Sequence, residues 1–317
     1  MSVDRAYRQV NKREKAEQRN RPETERPVPE SPSQTTITLV THKGDGVEYP
    51  LPKSKPTFNP ANQHISWAAW TWNPVTGCLH GCPYCYAREI AERNDDSTRR
   101  IFPIGFTPLF HRERLEAPQN HSLPSDIDIN PRAGRVFVCS MADLYGQWVP
   151  DTWIEQVHDV CARNPQWVYL LLTKFPERYN RVRSLPPTAW VGTSVDKQKR
   201  VRIAEEAFRK INNVAVKWLS LEPLRDDLQF TDLSMFDWIV IGSQTGTQQP
   251  DGHVPAFAPP FEWVAKLVAQ AREAGCKVWL KPNLLGDVHD QSPGMELPQE
   301  VPETRCASRQ ERLLPLA

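Results

Sequence analysis

The sharpest chemical signal in the chain is Gly77-Cys78-Leu79-His80-Gly81-Cys82-Pro83-Tyr84-Cys85-Tyr86. Its cysteines follow a C-x3-C-x2-C spacing, with an aromatic residue just before the third. Three thiolates on one tight turn suit three irons of a [4Fe–4S] cluster and leave the fourth iron open to a small molecule. Gly77 and Gly81 would let such a turn pass a bulky cluster without Cβ clashes. A rival arrangement closes a structural zinc site with Cys78, His80, Cys82 and Cys85. Zinc sites usually pair two knuckles, and the chain has no second C-x2-C. Three unligated cysteines are the remaining reading. Cys161, Cys276 and Cys306 are scattered and read as small buried apolar residues. Cys139 differs, because it ends an apolar run beside Ser140; there it is a candidate hydrogen-atom donor or radical relay.

Apolar runs rich in β-branched and aromatic residues must position that turn. They fall at 65–72, 106–110, 135–139, 167–172, 189–193, 215–221, 237–241 and 277–280. Near-continuous apolar strands suit a parallel sheet covered on both faces. Helical patterns lie at 86–93, 151–163, 197–210 and 261–274, the last closed by Gly275. Strand alternating with helix predicts an α/β fold of βα units. A partial or complete (βα) barrel is the first expectation, and an open doubly wound sheet the second. Polar residues follow six of the runs: Ser140 and Asp143, Thr173 and Lys174, Ser194 and Asp196, Glu222, Ser243 and Gln244, and Lys281. In βα barrels the C-terminal strand ends form the site, so one polar-lined mouth is expected there.

The chain has 317 residues and a formal charge of +1, so no whole-chain field draws it to nucleic acid or anionic membrane. No apolar run approaches the ~20 residues of a membrane helix, and the first residues lack a secretory apolar region. A cytoplasmic protein without membrane association is expected. Residues 1–35 are charged, carry Pro22, Pro27, Pro29 and Pro32, and read as a disordered tail. Residues 36–63 form a poorly defined lead-in, 64–286 the βα domain, and 287–317 a Pro-rich extension. Most of the eleven tryptophans fall in strands or helix faces and read as core; Trp70 and Trp72, beside the cysteine turn, could instead wall a pocket or stack a base.

The cysteine spacing after a first strand resembles the signature of the radical S-adenosylmethionine superfamily. Further stretches resemble a phage and bacterial three-Cys-motif family within it. These are Trp72-Asn73-Pro74-Val75-Thr76-Gly77-Cys78, Ser140-Met141-Ala142-Asp143, Leu172-Thr173-Lys174-Phe175-Pro176-Glu177-Arg178, Gly192-Thr193-Ser194-Val195-Asp196 and Glu222-Pro223-Leu224. The chain departs from that family's pattern at Cys139, where Asn is usual. It also departs at Gly242-Ser243-Gln244-Thr245, in place of a Gly-Gly-Glu-Ser-like stretch, and at Pro282, where Gln is usual. The resemblance implies an enzyme with Cys78, Cys82 and Cys85 as ligands of a [4Fe–4S] cluster whose open iron chelates S-adenosylmethionine. A reductant such as flavodoxin or ferredoxin would supply the electron that yields a 5′-deoxyadenosyl radical. Tyr84 would pack near the adenine. Ser140, Asp143, Lys174 and Ser194 would meet the cofactor's carboxylate, amine and ribose. The reaction expected by analogy is isomerisation of a glycine on thymidine from N-linked to C-linked, in phage DNA hypermodification, with modified DNA or a nucleotide as substrate. A DNA-repair lyase resembling spore photoproduct lyase is the first alternative. A zinc-binding, non-enzymatic nucleic-acid or protein interaction module is the second.

Overall fold

A computed structural model describes residues 36–41, 46–50, 56–93, 95–127, 130–284 and 297–302. The expected 1–35 tail, Cys306 and most of the 287–317 extension lie outside these. Seven parallel strands dominate: β1 (Trp70–Trp72), β2 (Arg135–Val138), β3 (Val168–Thr173), β4 (Ala189–Ser194), β5 (Val216–Leu221), β6 (Trp238–Ile241) and β7 (Lys277–Leu280). They pair strictly in chain order, β1 beside β2 through to β6 beside β7. The short strand Asn59–Pro60 adds antiparallel to the outer edge of β1.

Sequential order without reversal is the winding of a βα barrel, and it replaces the doubly wound alternative, which requires a switch point. Among the described residues the two edge strands do not pair, so the sheet is barrel-like in order and open in fact. Residues 297–302 run along the free edge of β7: Leu280 N–H donates to the Pro298 carbonyl at 2.8 Å and Glu300 N–H to that of Val278 at 2.9 Å.

Among the described residues six α-helices occupy connections: the short Asp96–Ile101 and Ala117–Asn120, and α1 (Tyr86–Ala91), α2 (Asp151–Arg163), α3 (Val201–Phe208) and α4 (Phe261–Glu273). Helix α2 buries Trp153, Ile154, Val157, Val160 and Cys161, a stripe of i, i+1, i+4, i+7 and i+8 that faces the sheet core. Helix α4 stops at Gly275 (φ 80°), where the Cys276 N–H reaches back to the Ala271 carbonyl at 2.8 Å. No helix among the described residues is long and apolar enough to cross a membrane.

Two expected strands change. The run 65–72 becomes a strand only from Trp70, because Gln63–Ile65 is a 3-10 turn capped by the Asn62 side chain, which accepts from the His64 N–H at 2.9 Å. The run 106–110 splits into Pro103–Phe106 and Leu109–Phe110, outside the main sheet, with Pro108 removing a ladder donor between them. Leu109–Phe110 joins Val75–Thr76 and the hairpin Thr36–Thr41/Gly46–Pro50 in a separate four-stranded sheet. That sheet delivers the chain directly into the cysteine turn.

Alternation along the strands sorts the main sheet into two faces. One set, including Tyr169, Leu171, Val191, Leu219, Ile239 and Val278, packs under the helices. The other is helix-free and floored by Trp190, Trp218, Trp238 and Trp279, which join Phe137, Leu170 and Trp67 in a second core. Gly192 is required here: a Cβ on it would lie 2.3 Å from the Trp218 indole.

Candidate functional site

The helix-free face changes character toward the C-terminal strand ends. Period two carries Trp190 to Gly192, Ser194 and Asp196, and carries Trp218 to Ser220 and Glu222. It likewise carries Trp238 to Val240 and Gly242, Trp279 to Lys281, and Leu170 to Leu172 and Lys174. Large rings thus give way to small residues and then to charges.

Asp196 is the hub of those charges. Its carboxylate accepts from the Tyr84 hydroxyl, lies 3.6 Å from Lys174 Nζ and touches Arg200 Nε at 2.9 Å. The Arg200 contact is Coulombic, because neither of its two atoms has an aligned hydrogen bond. Burial would raise the Asp196 carboxyl; Lys174, the Tyr84 hydroxyl and Arg200 outweigh it and hold the group below the usual carboxylate range. The Tyr84 ring carries Lys174 Nζ at 5.8 Å and the Arg225 guanidinium at 5.5 Å from its centroid. Burial, with Cys82 and Asp196 as negative neighbours, pushes the Tyr84 phenol up.

Asp143 anchors the adjoining side. One oxygen lies 2.6 Å from His80 Nε2 and accepts from the Lys174 N–H at 3.0 Å; the other accepts from the Tyr145 N–H at 3.0 Å. Burial opposes its ionisation, but the His80 hydrogen bond and charge, with the Lys174 N–H and Thr173, keep the carboxyl low. His80 stacks on Phe175 at 4.7 Å and meets the edge of Trp148 at 4.9 Å. Asp143 therefore positions the Lys174 backbone and the His80 ring. Ser140 Oγ bonds Asn73 Oδ1 at 3.2 Å, and the Ser140 carbonyl accepts from the Tyr86 hydroxyl at 2.5 Å. Glu222 pairs with Lys281 and accepts from Ser220 Oγ at 3.3 Å. A Cβ on Gly242 would lie 3.0 Å from Lys281 Cδ and 3.1 Å from Glu222 Oε1, so Gly242 leaves that pair its space.

The expected sites divide accordingly. Tyr84, Lys174, Asp143, Ser140 and Ser194 all stand at the strand-end region. Cys139 does not open onto it: the residue is buried in the helix-side core, at φ 58°, and burial pushes its thiol up to about 12. Such a left-handed backbone is one Asn adopts readily. Trp70 and Trp72 are anchored away from the mouth through indole N–H bonds to the Ala133 and Arg114 carbonyls at 2.8 and 2.7 Å. Arg200 and Arg225 were not singled out by sequence, since both lie beyond the strand ends. Asp196, Glu222 and Lys281 were, as polar residues that follow their strands in the sequence.

The cysteine turn corrects the central expectation. Among the described residues, no group of three or more His, Cys, Asp or Glu side chains is arranged to hold a metal ion. Cys78, Cys82 and Cys85 share a turn without forming a ligand set. Cys85 Sγ accepts the Arg88 N–H at 3.4 Å and caps α1, while Cys78 and Cys85 pack on a small apolar cluster of Ala87, Ala91, Phe102 and Phe106. Burial pushes both thiols up. Gly77 serves close packing: its φ is 82°, and a Cβ would lie 2.3 Å from the Thr107 carbonyl oxygen. The residues thus do not fit a [4Fe–4S] cluster. S-adenosylmethionine on an open iron, the radical S-adenosylmethionine enzyme and the thymidine-hypermodification isomerase fall with it. The lyase alternative drew on the same cofactors, and a zinc held by Cys78, His80, Cys82 and Cys85 meets the same finding.

No curated protein matches this chain. A distant structural likeness exists to a spore photoproduct lyase complexed with dinucleoside spore photoproduct, at 12% identity and a TM-score of 0.40, covering 72% of this chain and 80% of that one. A likeness of that size carries nothing about activity. A family model described as "Protein of unknown function (DUF5131)" matches residues 62–292, the whole seven-strand sheet included, and the chain belongs to that family.

Proposed function

We propose that the protein is a nucleic-acid interaction module that takes single-stranded nucleotides at the C-terminal strand ends. The observation that carries this reading is that the Tyr84 ring carries both Lys174 and Arg225, with Arg200 completing the cluster on Asp196. Lys174, Arg200, Arg225 and Lys281 outnumber the carboxylates Asp196 and Glu222 that pair with three of them. The surplus is local, as the chain's +1 net charge requires. Cations beside aromatic rings suit single strands, whose phosphates track the charges while bases stack. Tyr86, 41% exposed and tethered to Ser140, offers a ring face to a base. The hydroxyls of Ser140 and Ser194 supply polar contacts to sugar or base edges, and Asp143 holds the Lys174 backbone in place.

Fluorescence anisotropy with a labelled single-stranded DNA oligonucleotide tests this. Affinity should fall linearly on a log–log plot against salt, with a slope of about −0.7 per phosphate contacted. Lys174→Ala should weaken binding about tenfold, or ~1.4 kcal/mol, and make the slope shallower. No binding at low salt, or a Lys174→Ala variant with unchanged affinity, overturns the reading.

A further inference from the structure

We propose that Cys82 and Cys85 form a reversible dithiol–disulfide site, open to oxidation by small-molecule disulfides. The Cys85 N–H donates to the Cys82 carbonyl at 3.3 Å, closing a four-residue turn. A turn of that kind holds its end Cα atoms within about 7 Å. Disulfides span Cα separations of about 4.4–6.8 Å, a range that overlaps what such a turn allows its two ends. Both thiols are free and partly exposed.

The order of events follows from packing. Cys78 and Cys85 pack against the cluster of Ala87, Phe102 and Phe106, and Cys82 stands outside it. The Cys82 thiolate therefore attacks first, displacing one thiolate from a disulfide such as oxidised glutathione and forming a mixed disulfide. The Cys85 thiolate then attacks the Cys82 sulfur and expels the second. The two protons lost by the cysteines end on the two released glutathione thiols, and two electrons pass from the pair to the oxidant. Cys78 lies outside the four-residue turn, its N–H on the Phe106 carbonyl at 3.0 Å and its predecessor Gly77 pressed on Thr107. The site does not depend on nucleic-acid binding.

The full chain is incubated with oxidised glutathione, trapped with an alkylating agent, denatured and mapped by mass spectrometry. Of the seven thiols, five should remain, with the peptide carrying Cys82 and Cys85 lighter by two hydrogens and restored by dithiothreitol. Cys78→Ser should leave that bond intact, and Cys85→Ser should stop at a glutathione adduct on Cys82. Seven thiols after treatment, or a native bond to Cys78, overturns the proposal. The map of the unsubstituted chain decides this even if a variant fails to fold.

Discussion

The two ends of the helix-free face use the same strands and the same alternation, yet do opposite things. At the lower end Trp190, Trp218, Trp238 and Trp279 fill space; at the upper end Lys174, Asp196, Glu222 and Lys281 trade charges. The boundary between them is a layer of small residues, Gly192, Ser194, Ser220 and Gly242. The lower end lends its rigidity by packing, and the upper end can then hold unlike charges at fixed separations. Size, more than polarity, therefore sets where a site can open on this sheet.

Breaking the lower end should have the largest effect. Trp218 is fully buried and lies over Gly192, so Trp218→Ala should cost about 3–5 kcal/mol through cavity formation. Gly192→Ala in the natural chain should cost about 1–3 kcal/mol by overpacking. In the Trp218→Ala background the same change should be nearly neutral, because the ring it strikes is gone. Urea unfolding of the four forms measures the coupling; additive costs would mean that the two residues do not share that space.

Acid should separate core from rim next. His158 is buried, its Nδ1 at 2.7 Å from the Ser184 carbonyl and its Nε2 at 2.6 Å from the Tyr145 hydroxyl; it is neutral, with Nε2 as acceptor. Burial lowers its pKa from 6.5 to about 4, and the same holds for His111. The unfolded chain therefore binds more protons between those values, so stability is full above pH 6.5 and falls as pH drops toward 4. The loss should be on the order of 2 kcal/mol per histidine between pH 7 and pH 5. Asp143 and Asp196, both held low, contribute stability above their unfolded value near 3.9 that is lost only below it. Urea unfolding at pH 7, 5 and 3 should show two stages, with Asp143→Asn and Asp196→Asn altering only the second. A single stage below pH 4 would contradict the buried neutral histidines.

The lower end was legible in sequence and the upper end only partly. Apolar runs located all seven parallel strands, because buried β-branched and aromatic residues leave a strong local pattern. Lys174, Ser140, Asp143 and Ser194 were legible as strand-end residues. Arg200 and Arg225 were not, since only the fold brings loops beyond different strands onto Asp196 and the Tyr84 ring. The cysteine turn misled for a related reason. Spacing reports how close three thiols are along the chain, whereas ligation needs their sulfurs to converge. Here two of them are drawn to the cluster around Ala87 and Phe106, and one of those also caps α1.

The smallest stability effect should be the most telling for the rim. Arg225 is half-buried, and its guanidinium lies 5.5 Å from the Tyr84 centroid. Removing one such contact costs about 0.5–1 kcal/mol of folding stability. Arg225→Ala should therefore unfold close to the natural chain, in contrast to Trp218→Ala. If the rim meets nucleic acid, the same variant should lose affinity for a single-stranded oligonucleotide and shed about 0.7 from the salt slope, one phosphate contact. Arg225→Lys keeps the charge and loses the planar stacking face, so it should recover the slope but only part of the affinity. Equal losses of stability and binding in Arg225→Ala would place the residue with the lower, packing end of the sheet, and the division between the two ends would fail at this position.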